Sequence, residues 1–161
     1  MKIERNYTLH INGKDHPVES DWLGENLLYV LREKLGIWGT KNACEQGECG
    51  SCSVFINGVM TCSCMELSAS AVGTKITTVE GLAPHGELTD VQEEMLNAGA
   101  VQCGFCTPGL VVAVTDLLET NSTPSRLEVK EALAGNLCRC TGYGRIEDAV
   151  FRISEKRARE Q

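Results

Sequence analysis

Apolar residues fall at every second position near the start of the chain, where Tyr7, Leu9 and Ile11 alternate with polar neighbours. That period predicts a strand, and the Asn12-Gly13 pair after it predicts a tight hairpin, because a two-residue turn needs positive φ at both central positions. The hairpin is placed over residues 3–20, with His16 to Glu19 as the returning strand. From Leu23 to Leu35 the period lengthens. Leu27, Leu28, Leu31 and Leu35 share one helical face, Arg32 and Lys34 lie near its end, and Gly36 is a stop signal. Residues 37–52 show no period and read as a long loop. Ser53 to Ile56 and Val59 to Cys62 flank Asn57-Gly58 as a second hairpin, and Lys75 to Val79 is a closing strand. Two hairpins, one helix and a closing strand predict a mixed sheet of the β-grasp kind.

The pattern changes after Gly81-Leu-Ala-Pro-His-Gly86, a break with two glycines and a proline. It reads as a linker over 82–87 between a domain of residues 1–81 and a second of 88–161. Everything beyond it has helical signals. Thr89-x-x-Gln92 is a capping box for a helix to about Ala98, and Ser125-x-x-Glu128 opens another that ends near Gly135. Thr107-Pro108 places a cap and a first-turn proline before Val111 to Glu119. Thr141 or Gly144 precedes a last helix over about 145–156, basic in its final turns as the macrodipole favours. The mixed-charge tail from Glu155 to Gln161 reads as a solvated end. The fold class is therefore α+β, with a β-grasp unit followed by four helices.

Composition narrows the function. A chain of 161 residues suffices for one generous domain or two small ones. A net charge of −7 leaves no basic face for phosphates, so nucleic acid is excluded as a partner. Three charged residues within Met1 to Tyr7 argue against a secretory leader, and the longest apolar run, Leu110 to Val114, is far too short for a membrane span. Nine cysteines without a leader point to a reducing, cytoplasmic setting and to metal binding rather than disulfides. His10, His16 and His85 stand far from every cysteine motif, which sets aside a Rieske-type centre.

Cys44, Cys49 and Cys52 stand at C-x4-C-x2-C with Gly47 and Gly50 among them. This is the plant-type ferredoxin spacing for a 2Fe–2S cluster, and glycines let the loop aim backbone N–H groups at anionic sulfur. The fourth ligand is Cys62 or Cys64, which spacing alone does not decide. Cys64, which begins the segment after the hairpin, is favoured, and Cys62 is left as a buried thiol. A second set follows in the helical half: Cys103-x-x-Cys106 and, after 31 residues, Cys138-x-Cys140. Each pair is followed by threonine and a helix start, where free N–H groups favour an anion. C-x-C is awkward for a tetrahedral zinc ion, so this set also reads as a cluster site. No nucleophile, base or phosphate loop is evident, so any substrate chemistry must lie on another chain.

Cys44-x4-Cys49-Gly-Ser-Cys52, Gln102-Cys-Gly-Phe-Cys-Thr-Pro-Gly109 and Asn136-Leu-Cys-Arg-Cys-Thr-Gly-Tyr143 together resemble the small iron–sulfur subunit of the molybdenum hydroxylases. That family includes xanthine dehydrogenase, aldehyde oxidoreductase and carbon monoxide dehydrogenase. The resemblance covers roughly residues 4–155 and implies a plant-ferredoxin-like domain and a four-helix bundle, each with one 2Fe–2S cluster. It assigns Cys44, Cys49, Cys52 and Cys64 to the first cluster and Cys103, Cys106, Cys138 and Cys140 to the second. It gives Cys62 no counterpart. It sets Gln102 and Cys140 against a molybdenum–pterin cofactor on a large subunit, with a medium subunit carrying FAD, so that electrons enter at the C-terminal cluster and leave from the N-terminal one. The wording of Lys41 to Gly50 and of Thr78 to Leu82 looks more like the bacterial purine enzymes. Two other readings are a free-standing two-cluster ferredoxin carrier and a structural zinc module.

Overall fold

The computed structural model describes residues 6–83 and 86–160. Strands β1 (Asn6–Ile11) and β2 (Lys14–Glu19) form the first hairpin, with Asn12 and Gly13 at φ 52° and 76° as the turn requires. Strands β3 (Ser53–Ile56) and β4 (Val59–Cys62) form the second, with Asn57 and Gly58 at φ 51° and 81°. Strand β5 (Lys75–Thr77) closes a five-stranded sheet of order β2-β1-β5-β3-β4. It runs parallel to β1 and antiparallel to β3, so the sheet is mixed. Both hairpins agree with the sequence pattern, although residues 3–5 lie outside the described part of the chain. The closing strand is shorter than its pattern suggested, because a 3-10 turn over Val79–Leu82 takes the chain away from the sheet.

Helix α1 (Leu27–Tyr29) continues as a π-helical stretch over Val30–Lys34. It starts four residues later than Leu23, for a tertiary reason. Asn26 caps it by accepting from Tyr29 N (2.8 Å), while Leu27 N and Leu28 N donate to the carbonyls of Glu66 and Ser63. The donors of its first turn are thus spent on the segment that carries Cys64. Leu27, Val30 and Leu31 are fully buried against Leu9, Ile11, Val54 and Ile76 of the sheet. Burial of each such side chain is worth about 1.5–3 kcal/mol. Leu28, on the other side of the same turn, packs instead on Cys52 and Cys64.

The second core is helical. Helices α2 (Asp90–Asn97), α3 (Thr107–Thr120), α4 (Arg126–Leu133) and α5 (Gly144–Glu160) enclose Val91, Met95, Leu110, Val114, Val129, Ile146, Val150 and Ile153. Both capping boxes are formed, Thr89 with Gln92 and Ser125 with Glu128. Val79 and Leu82 pack on this core, so the connecting segment is anchored before it reaches the helices; Pro84 and His85 of the segment lie outside the described residues. Two expectations change. Helix α3 begins at Thr107 with Cys106 as its N-cap, so the threonine is inside the helix. The basic tail stays helical to Glu160, because Arg157 reaches Asp90 through two hydrogen bonds of 2.6 and 3.0 Å.

Candidate metal centres

Residues 36–52 wrap the first cysteine set without regular structure. Arg32 stitches this loop to the helix through the carbonyls of Thr40 (2.7 Å) and Trp38 (3.3 Å). Left-handed backbone at Glu45, Gly47 and Gly50 (φ 55°, 76° and 67°) curls the loop tightly. Its N–H groups then point inward. Those of Gln46, Glu48 and Cys49 reach the Cys44 sulfur and, with Gln46 foremost, lower that thiol to about 6. Cys49, Cys52 and Cys64 are buried, whereas Asn42, Ala43 and the run from Glu45 to Glu48 stay exposed. Burial pushes the Cys64 thiol up to about 11, against a backbone donor at Gly47. A metal taken up at this sulfur would therefore displace a proton.

Cys62 differs in what it faces. Its Sγ lies 3.9 Å from the Gly47 carbonyl and against Cys52. A carbonyl wants a thiol proton, whereas the sulfurs of Cys44 and Cys64 meet N–H donors suited to thiolates. Cys52 also donates to the Cys62 sulfur and lowers that thiol to about 7, so it is the backbone donor beside Cys64, and not ease of ionisation, that favours Cys64 as the fourth member of the set.

The second set opens to the surface. Cys103 and Cys140 are exposed and within hydrogen-bonding reach of each other; Cys106 and Cys138 pair beneath them, half-buried. Burial pushes the Cys106 thiol up to about 12. At Cys138 burial works in the same direction, but the Thr141 hydroxyl (3.0 Å) and backbone outweigh it and hold the thiol low. Thr141 Oγ1 already accepts from Tyr143 N (3.2 Å), which leaves its own proton free for the sulfur. The two helix starts are not equivalent. Cys106 caps α3 directly, but Thr141, Gly142 and Tyr143 intervene between Cys140 and α5. Gln102, Phe105 and Leu137 are exposed around this opening.

The two sets meet at a seam. Leu137 N donates to Cys49 O (2.9 Å), and the buried Asn136 amide donates to Gly50 O (3.1 Å). Gly50 O also accepts from Ser53 N (3.1 Å) and Ser53 Oγ (2.8 Å). The approach is so close that a Cβ at Gly109 would overlap Gly50 O, and one at Gly50 would stand 2.5 Å from Gly135 O. Asn136, Gly109 and Tyr143 were visible in the sequence only as motif residues, since no local pattern shows which backbone a distant side chain will reach.

The donor chemistry suits two binuclear clusters. Among the described residues no three His, Cys, Asp or Glu side chains converge as they would on a single ion. The thiols approach mostly in pairs instead, Cys44 with Cys49, Cys103 with Cys140 and Cys106 with Cys138, while Cys52 meets both Cys64 and Cys62. Two thiolates for each of two irons is what a 2Fe–2S cluster takes. A tetrahedral zinc site would gather all four at one point. His10 bonds Asp15 (2.8 Å) and His16 lies opposite Leu9, so both belong to the first hairpin; His85 lies outside the described residues.

Comparison with known proteins agrees with this geometry. Residues 9–75 match the family described as 2Fe-2S iron-sulfur cluster binding domain, and residues 78–151 match the [2Fe-2S] binding domain family. The nicotinate dehydrogenase small FeS subunit of Eubacterium barkeri is 42% identical over 142 residues, 88% of this chain and 90% of the relative. The xanthine dehydrogenase iron-sulfur-binding subunit of Escherichia coli O157:H7 is 46% identical over 130 residues, covering 80% and 81%. The crystal structure of quinoline 2-oxidoreductase from Pseudomonas putida 86 superposes with a TM-score of 0.87 at 42% identity, over 96% of both chains.

Proposed function

Because the chain belongs to the small iron–sulfur subunits of the molybdenum hydroxylases, we propose that it carries electrons between a large molybdenum–pterin subunit and a medium FAD subunit. The observation that carries the reading is the pair of four-cysteine sets in separately cored units, stitched through Leu137 and Cys49. When bound, the clusters supply one-electron redox chemistry, so a two-electron oxidation of substrate needs a partner's centre. The protein's own residues bind the cluster irons and fix the spacing of the two sets. Cys44, Cys49, Cys52 and Cys64 hold the first cluster, and Cys103, Cys106, Cys138 and Cys140 the second. We divide the chain into residues 1–81 and 88–161, joined at 82–87, on the strength of the two separate cores.

The opening beside Cys103 and Cys140 is the side that docks on the pterin chain, with Gln102 and Cys140 facing the cofactor. What supports this is its surface: Phe105 and Leu137 are exposed, and the exposed and half-buried run from Val101 to Pro108 carries no charge. The loop of the first set, with Glu45 and Glu48 exposed, faces the flavin chain. Among the described residues no helix is long and apolar enough to cross a membrane, and nine unpaired cysteines favour the reducing cytoplasm. The relatives of comparable length are named for xanthine, nicotinate and nicotine, which share a nitrogen heteroaromatic ring, whereas the much longer relative from Megalodesulfovibrio gigas is an aldehyde oxidoreductase. We propose that class for the substrate of the complex, with a purine as the first candidate.

Purification of the complex from its source tests the reading. Two EPR-distinct 2Fe–2S signals, about four iron and about four sulfide per chain, and co-purifying molybdenum and FAD are expected. A colourless chain would mean zinc, and a coloured chain with no partner would mean a free carrier. A panel of purines, pyridines, quinolines and aldehydes then tests the substrate class.

A further inference from the structure

Tyr143 has a backbone conformation that its side chain must justify. It follows Gly142 in the left-handed region, at φ 66° after 64°, where an L residue is strained and glycine would be free. Its carbonyl accepts from Glu147 N (2.9 Å) and so opens α5, but its side chain does not cap that helix. It turns back across the Cys138–Thr141 turn. There its hydroxyl accepts from Cys138 N (2.8 Å) and donates to Asn136 O (3.0 Å). One oxygen therefore holds the chain on both sides of Leu137. The ring adds purchase by packing against the helical core beside Cys138.

Resting on the cluster reading above, we propose that Tyr143 is a positioning residue for the C-terminal cluster: its hydroxyl, clamped between Cys138 N and Asn136 O, sets where the Cys138 sulfur stands. The clamp works with Thr141. The Tyr143 N–H occupies one lone pair of Thr141 Oγ1 and fixes that oxygen 3.0 Å from Cys138 Sγ, where the threonine proton can be given to the sulfur. Backbone and side chain of the same tyrosine thus act on one sulfur from two directions. A hydrogen bond to a ligating sulfur, and the geometry of that ligand, are both levers on cluster potential. The three residues after Cys140 are therefore a tuning element as well as a connection to α5.

Tyr143→Phe keeps the ring and removes only the hydroxyl, and its test is spectroscopic. In the full chain with both clusters, the C-terminal signal is the one lost in Cys106→Ser, and the N-terminal signal the one lost in Cys64→Ser. Tyr143→Phe should move the line positions and midpoint potential of the C-terminal signal alone. It should also speed loss of that cluster to a chelator about tenfold, as expected when a half-buried donor and acceptor lose their partner. Tyr7→Phe, which removes the hydroxyl bonded to Ser68 Oγ (2.7 Å) in the other unit, is the matched control and should leave the C-terminal signal unchanged. An unaltered C-terminal spectrum and potential in Tyr143→Phe would overturn the proposal. So would loss of both clusters, since that marks a general structural role. A wild-type chain without a C-terminal signal would instead sink the cluster reading itself.

Discussion

Replacing Gly109 by alanine sets two physical effects against each other. Gly109 lies in the first turn of α3 with ordinary negative φ, and alanine there gains about 1 kcal/mol of helix propensity. Local reasoning therefore expects a more stable chain. The tertiary structure opposes it. The added Cβ would overlap Gly50 O and stand 3.0 Å from both Gly50 C and Ser51 Cα. All three are backbone atoms beside two cysteines of the first set, and none can swing aside as a side-chain end would. Opening the seam costs about 2–3 kcal/mol by analogy with overpacked cores. A further ~1 kcal/mol goes with the Asn136 bond to Gly50 O. The net expectation is a loss of about 2–3 kcal/mol, or a Tm lower by about 5–10 °C for a chain of this size. Scanning calorimetry and visible circular dichroism of the loaded chain should be run at one scan rate, because cluster loss makes unfolding irreversible. Gly24→Ala, where a Cβ meets nothing within 4 Å, should shift Tm by no more than a degree or two. A Gly109→Ala chain as stable as wild type, or more so, would refute the seam argument.

Cys64→Ser should lose the N-terminal cluster while Cys62→Ser keeps both, since a thiolate ligand is indispensable and a spare thiol acts as a small apolar residue; iron analysis and EPR decide, and the reverse pattern would move the fourth ligand to Cys62. Arg157→Ala should cost about 1 kcal/mol, a modest figure because Arg157 and Asp90 are both partly exposed. Hydrogen bonding to Arg157 holds the Asp90 carboxyl below its usual value, so the pair's contribution is complete above about pH 4 and fades as pH falls through that lowered value. The Tm gap between wild type and Asp90→Asn should accordingly be flat near neutrality and close in acid; a gap that widened on acidification would reverse the sign.

Much of this protein is local, and the sequence determined that part. Both Asn-Gly turns, both capping boxes and the spacings of the eight cysteines depend on neighbours within a few residues, so they were readable in order along the chain. The same is true of the β-grasp and four-helix division, which follows from a switch of period from two to 3.6. The tertiary structure decided whatever depends on a partner far away in sequence. Helix α1 starts at Leu27 because Ser63 and Glu66 take its first N–H groups, and the tail stays helical because Arg157 meets Asp90, 67 positions earlier. Cys62 and Cys64 are equivalent by spacing and become distinct only when Gly47 turns a carbonyl to one and an N–H to the other. Gly50, Gly109, Asn136 and Tyr143 show no periodicity at all. Their roles arise where two backbones approach too closely for a Cβ, and where one hydroxyl spans three residues of a turn. Periodicity reports which face of an element is buried, but a seam is made by the backbone, and backbone carries no pattern in the sequence.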